Sequence, residues 1–210
     1  MSHVVLLGDS IFDNDRYVPG GPAVIEHLRR ALPPGWRATL LAVDGAVAAD
    51  VVRQLERLPS DASHLVVSAG GNNALDHSSL ILHEPAGSFA EVLSRLAEVR
   101  AEFQRQYRDM VEALLSRGLS VVLCTIYDAI PGLEPSEQTG LCLFNEVILR
   151  EAFRVAVPVI DLRLICADAA DYAQSSPIEP SVVGGGNIAR AVVQAVVDSV
   201  GPARCSRIIA

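Results

Sequence analysis

A chain of 210 residues, half of them apolar and a fifth charged, can bury a large core and excludes a disordered segment. Its formal net charge of -8 argues against nucleic acid and anionic membrane surfaces, which need concentrated Lys and Arg, and leaves a small neutral substrate open. No apolar run approaches the roughly 18 residues of a membrane span, and Met1-Ser2-His3 leads into the first strand without a signal-peptide pattern, so a cytoplasmic setting is expected. Cys124, Cys142, Cys166 and Cys205 are scattered without CxxC spacing; neither a zinc site nor a disulfide frame is expected, and no cofactor is implied.

Val4-Val5-Leu6-Leu7 reads as a short strand buried on both faces, as in a parallel sheet. It ends in Gly8-Asp9-Ser10, where an open α/β sheet presents residues to a ligand. A polar stretch to Tyr17 and the turn residues Pro19 to Pro22 precede a helix over Ala23–Leu32 that Pro33-Pro34 stops. Arg37–Val43 is the second strand. Asp44-Gly45 turns into a helix over Ala46–Leu58. The third strand, His64–Ser68, ends in Gly70-Gly71-Asn72-Asn73.

From Ala74 to Ser88 no period is visible, and a loop over the carboxyl edge of the sheet is expected, carrying His77 and His83. A long helix follows over Phe89–Ser116, with Gly118 as its C-terminal cap. Leu119–Thr125 is the fourth strand, Gln138–Phe153 a helix, and Val155–Ile160 the fifth strand, closed by Asp161. Gln174–Gly186 reads as loop and Ile188–Val200 as the last helix. Five strands alternating with helices predict one doubly wound α/β domain over residues 1–210 with a mainly parallel sheet.

Three strand ends therefore converge on one edge, bringing Gly8-Asp9-Ser10, Gly45 and Gly70-Gly71-Asn72 together. This set resembles the GDSL, or SGNH, family of hydrolases. The resemblance implies a flavodoxin-like three-layer α/β/α sandwich and cleavage of esters, thioesters or related acyl bonds. It implies Ser10 as nucleophile, with an oxyanion hole from the Ser10 N–H, the Gly45 N–H and the Asn72 side chain. Fixed donors of this kind stabilise the negative charge that acyl transfer builds on the carbonyl oxygen. Asp9 and Asn73 are placed beside the substrate; Asn73 stands where many relatives have Asp.

The fourth block departs from the pattern. Relatives carry Asp-x-x-His, usually followed by Pro, before the last helix; here Ser176-Pro177-Ile178-Glu179-Pro180 stands there. Glu179 thus occupies the place of the catalytic histidine and Ser176 that of its acid. A serine hydroxyl needs a base, and an ordinary glutamate with a pKa of about 4.3 is a weak one near neutrality. Burial toward ~6–7 makes it serviceable. His77 and His83 lie on the right edge as alternative bases; His3, His27 and His64 lie elsewhere. Asp128 and Asp161 also sit near the functional edge. Gly184-Gly185-Gly186-Asn187-Ile188-Ala189 fits a dinucleotide fingerprint but lacks its strand context. Two readings stay open: a serine esterase acting on a small acylated substrate, or a catalytically impaired scaffold that binds an acyl or sugar ligand or a protein partner.

Overall fold

The structure is a computed structural model; it describes residues 2–197 and 207–209, the side chains of 79–82 excepted. Its centre is β1 (His3–Gly8), every residue of which is buried. Successive side chains of a strand point to opposite faces, and here both faces are covered. Val4 and Leu6 join an apolar core with α1 (Val24–Ala31) and α7 (Val182–Val197). Val5 and Leu7 join a second core with α2 (Ala48–Gln54), α4 (Phe89–Leu115) and α5 (Pro135–Arg154). Two helical layers thus enclose one sheet.

Around β1 lie β2 (Arg37–Leu40), β3 (His64–Ser68), β4 (Ser120–Cys124) and β5 (Val159–Ile160), all parallel. The expected doubly wound sandwich is present, but the sheet has six strands, not five. The sixth, β8 (Ile208–Ile209), runs parallel beside β5 and gives the order β2-β1-β3-β4-β5-β8. Two residues carry no period, so this strand leaves no signal in the sequence. The chain winds outward from β1 to β2 and then crosses to β3. That reversal puts the switch point, where such sheets bind ligands, at the carboxyl ends of β1 and β3.

Several boundaries differ from expectation. The segment read as a loop over 74–88 is largely α3 (Gly71–His83), which starts at Gly70 directly after β3. Its polar residues Asn72, Asn73, Asp76, His77 and Ser78 break the apolar period and hide the helix. β5 is confined to Val159–Ile160 because Ala156 adopts a left-handed φ of 55°, which ends α5 and turns the chain. α6 (Leu162–Ile165) is a single turn capped by the Asp161 carboxylate, which accepts the Arg163 N–H.

The expected loop over 174–186 contains a hairpin, β6 (Tyr172–Ala173) with β7 (Ser176–Pro180), and the start of α7. Gly184, Gly185 and Gly186 lie in the first turns of that helix. A Cβ on Gly184 would stand 2.1 Å from the Asp171 carbonyl oxygen, so its hydrogen lets α7 press against the preceding segment. Of the last helix as read from sequence, residues 198–200 lie outside the described part, as does Cys205. Among the described residues no helix is long and apolar enough to cross a membrane.

Candidate active site

Gly8 ends β1 with a φ of 120°, a conformation L side chains rarely adopt, and a Cβ there would fall 1.7 Å from the Ser68 carbonyl oxygen. The chain can therefore turn sharply out of the sheet only at glycine. The turn is held by a side chain that the sequence reading did not single out. Gln54 of α2 is buried and donates its amide to the Gly8 carbonyl while accepting the Gly8 N–H, both at 2.8 Å. Nothing in the helical period of α2 distinguishes this glutamine. Gln54→Leu strands the Gly8 N–H in the interior and takes one of two donors from the Gly8 carbonyl, which keeps the Val43 N–H, and is expected to cost about 1–3 kcal/mol of folding stability. The midpoint of urea unfolding measures this; an unchanged midpoint would show that the clamp carries no stability.

Beyond the turn, Ser10 is 8% exposed on the wall of a cleft of about 960 Å³, its open mouth included. The cleft lies between the ends of β1 and β3, α3, α5, the segment after β4 and β7. Ile126, Ile130, Leu133, Leu141, Phe144 and Ile178 give it an apolar wall. Its titratable members are Asp9, Glu137 and Glu179, with no basic side chain among the described lining residues.

Glu179 is the residue that burial changes most usefully. It is 3% exposed, and its neighbours on both sides are pinned by buried side chains. The Tyr127 hydroxyl donates to the Ile178 carbonyl at 2.6 Å, and the Asn14 amide donates to the Pro180 carbonyl at 3.1 Å. Asn14 is itself fixed by accepting the Val24 N–H at the start of α1. Burial pushes the Glu179 carboxyl up to about 7. The nearby Ser10 hydroxyl, which favours the anionic form, opposes the shift, the negative Asp44 adds to it, and Arg16 reduces it. Its Oε2 has no hydrogen-bond partner among the described residues.

Asp9 is also buried and also raised to about 7, first by burial, with Glu179 and Asp44 adding to it; the Ile11 N–H, donated to Oδ1 at 3.1 Å, works the other way. Asn72 lies at the start of α3, on the cleft wall, where it donates one amide hydrogen to the Ala46 carbonyl at 3.0 Å and keeps the other. Gly45, one residue before Ala46, sits in the turn after β2 at a φ of 81° and does not itself wall the cleft. That turn is tied to the end of β1, the Val43 N–H donating to the Gly8 carbonyl. The backbone N–H groups of Ser10 and Gly45 have no acceptor among the described residues.

Other expected site residues fall elsewhere. Asn73 is buried with both ends of its amide in use, accepting the Ala48 N–H and donating to Gln106, so it joins α3 to α2 and α4 and does not reach the cleft. Because its segment is helical, His77 is held beside Phe144, ring centroids 6.3 Å apart, without walling the cleft; His83 is exposed at the far end of α3. Neither stands at Ser10. Ser176 pairs with Ala173 in the hairpin and is likewise off the cleft wall. Asp161 is taken up by Thr125 and Arg163. Asn14, Tyr127 and Gln54 were missed because each acts by bonding backbone distant in sequence, by 166, 51 and 46 positions.

Comparison with known proteins agrees with this fold. An extracellular lipase from Streptomyces rimosus superposes with a TM-score of 0.64 at 16% identity, over 95% of this chain and all of that one. An acetyl xylan esterase variant from Geobacillus stearothermophilus gives 0.63 at 18% identity, over 96% and 97% of the two chains. A member of the lipolytic G-D-S-L family from Veillonella parvula gives 0.69 at 17%, over 95% and 100%. At such identities these likenesses speak for the fold. No curated protein matches the sequence. The model of the GDSL-like lipase/acylhydrolase family matches residues 6–184. The chain belongs to the GDSL-like lipase/acylhydrolase family, whose members hydrolyse ester bonds.

Proposed function

We propose that the protein is a serine esterase in which Glu179 does the work of the family's histidine. The observation that carries this reading is the buried Glu179 carboxyl beside the Ser10 hydroxyl, raised to about 7 and aimed from a braced hairpin into an apolar cleft. A base with that affinity is half ionised near neutrality, where general-base catalysis is most effective. Ser10 Oγ attacks the ester carbonyl as Glu179 takes its proton. The carbonyl oxygen becomes an oxyanion facing the Ser10 N–H and the remaining Asn72 amide hydrogen. Collapse breaks the bond to the leaving alkoxide, which receives the proton from Glu179. Water then repeats the sequence on the acyl-enzyme, with Glu179 again taking and returning one proton, and releases the acid. The apolar wall from Ile126 to Phe144 suits the acyl chain.

Turnover of p-nitrophenyl esters tests this reading through Asn72. If its amide meets the oxyanion, Asn72→Ala lowers kcat by about 10²–10³ and leaves KM little changed, since the bond strengthens in the transition state. A variant with normal kcat and raised KM would make Asn72 a substrate-binding residue and remove one donor from the scheme.

A further inference from the structure

Between α1 and α7 lies a second depression, of about 770 Å³ with its open mouth included, which shares no lining residue with the cleft. His27 and Arg30 of α1 line it together with Val182, Val183, Gly186 and Arg190 of α7. Two guanidiniums thus stand in one groove of a chain whose net charge is -8, and no acid is among the described lining residues. Neither arginine has an ion pair among the described residues. Arg190 is held without being neutralised. Its guanidinium donates to Asn187 Oδ1, and the Asn187 amide donates to Asp171 Oδ1 at 2.7 Å. Asp171 is buried and its other oxygen accepts the Asp168 N–H, so this acid braces the asparagine and does not line the groove.

The donors meet at Gly186. A Cβ on Gly184 would strike the Asp171 carbonyl, and one on Gly185 would come within 3.3 Å of Val24 Cγ2, so packing accounts for both glycines. A Cβ on Gly186 would meet nothing closer than 3.5 Å. Glycine inside a helix is less stable than alanine, and here no close packing repays the loss. The space this Cβ would fill is flanked by His27 Nδ1 at 3.6 Å and Arg190 Nη1 at 3.7 Å. The other ring nitrogen, His27 Nε2, is sealed in the interior without a partner among the described residues, which leaves Nδ1 to serve the groove. The first N–H groups of α7 take no part. Those of Val183 and Gly184 donate to the Ser181 hydroxyl and that of Gly185 to the Ser181 carbonyl.

We propose that this groove binds the phosphate of a small organic phosphate monoester, seated over Gly186 between Arg190, Arg30 and His27, with the organic part against the exposed Val182 and Val183. A phosphate monoester carries close to two negative charges at neutral pH and three acceptor oxygens, which matches two guanidiniums whose N–H groups pair with oxygens in a fixed fork. A carboxylate brings one charge and leaves one guanidinium unmatched. The site stands apart from Ser10, so ester turnover bears on it in neither direction.

Calorimetric titration of the wild-type protein with phenyl phosphate and with benzoate near about pH 7.5, where the phosphate is doubly ionised, tests this. Phenyl phosphate is expected to bind about tenfold or more tighter than benzoate, and Arg30→Ala and Arg190→Ala are each expected to weaken it about tenfold or more, as the loss of a charged hydrogen bond implies. Gly186→Ala fills the seat with a methyl that the packing accommodates, so binding should be lost while the midpoint of urea unfolding does not fall. Arg29→Ala removes an exposed charge one position from Arg30 but outside the groove, and should leave binding unchanged. Absence of binding at millimolar phenyl phosphate would overturn the proposal. So would benzoate bound as tightly, Gly186→Ala binding like the wild type, or Arg29→Ala weakening binding as much as Arg30→Ala.

Discussion

Replacing Ser10 with Ala is expected to lower kcat for any ester substrate by about 10⁴-fold or more, because the covalent route disappears as a whole. The oxygen is the only group removed, and Ser10 lies outside both β1 and the Gln54 clamp, so the unfolding midpoint should stay near that of the wild type. The residual rate should still exceed that of water alone, since the backbone N–H of residue 10 and the Asn72 amide remain. Steady-state kinetics beside a urea titration checks both halves. A Ser10→Ala protein with a tenth or more of the wild-type rate would mean that the nucleophile lies elsewhere.

Glu179→Gln is expected to lower kcat by about 10²–10⁴, the usual contribution of a positioned general base. The shape of the pH profile distinguishes a base from a structural prop. Wild-type kcat/KM should climb through about 7 as Glu179 ionises, and the residual activity of the variant should lack that limb. Stability should move the other way. A carboxyl raised by the folded state above its ordinary value binds its proton more tightly in that state, so folding loses stability as pH rises from about 4.5 through about 7. Glutamine never ionises. The variant should therefore melt higher than the wild type above pH 7, with the gap closing in acid, an exchange of stability for activity common at functional sites. Thermal melts across this range read it directly.

How far the sequence led can be judged from particular residues. β1 was plain because four consecutive apolar side chains with a glycine after them fit a doubly covered strand and little else. Ser10 and Asn72, singled out by their places after β1 and β3, lie on the cleft wall, whereas Gly45, singled out after β2, does not. α3 was not legible, since its first turns carry the polar residues that build the cleft wall and brace α2, and function overrode the period. β8 was too short to leave a pattern. Gln54, Asn14 and Tyr127 look like ordinary helix, loop and strand-end residues until the fold brings the backbone of Gly8, Pro180 and Ile178 to them. Glu179 was visible as a substitution in the expected place of a histidine. What the sequence lacked was its environment: 3% exposure between two anchored carbonyls, which turns a weak base into one of nearly neutral pKa.

The central claim is that Glu179 activates Ser10, and the rate at which a serine-directed phosphonate modifies the protein measures it most directly. Intact-mass analysis should show one adduct on the wild type and none on Ser10→Ala. In the wild type the labelling rate should rise with pH through about 7, while in Glu179→Gln it should be slower by about 10² or more and lack that rise. Labelling of Glu179→Gln at the wild-type rate and with the wild-type pH profile would contradict the account, and absence of labelling in the wild type would leave a binding scaffold in place of an esterase.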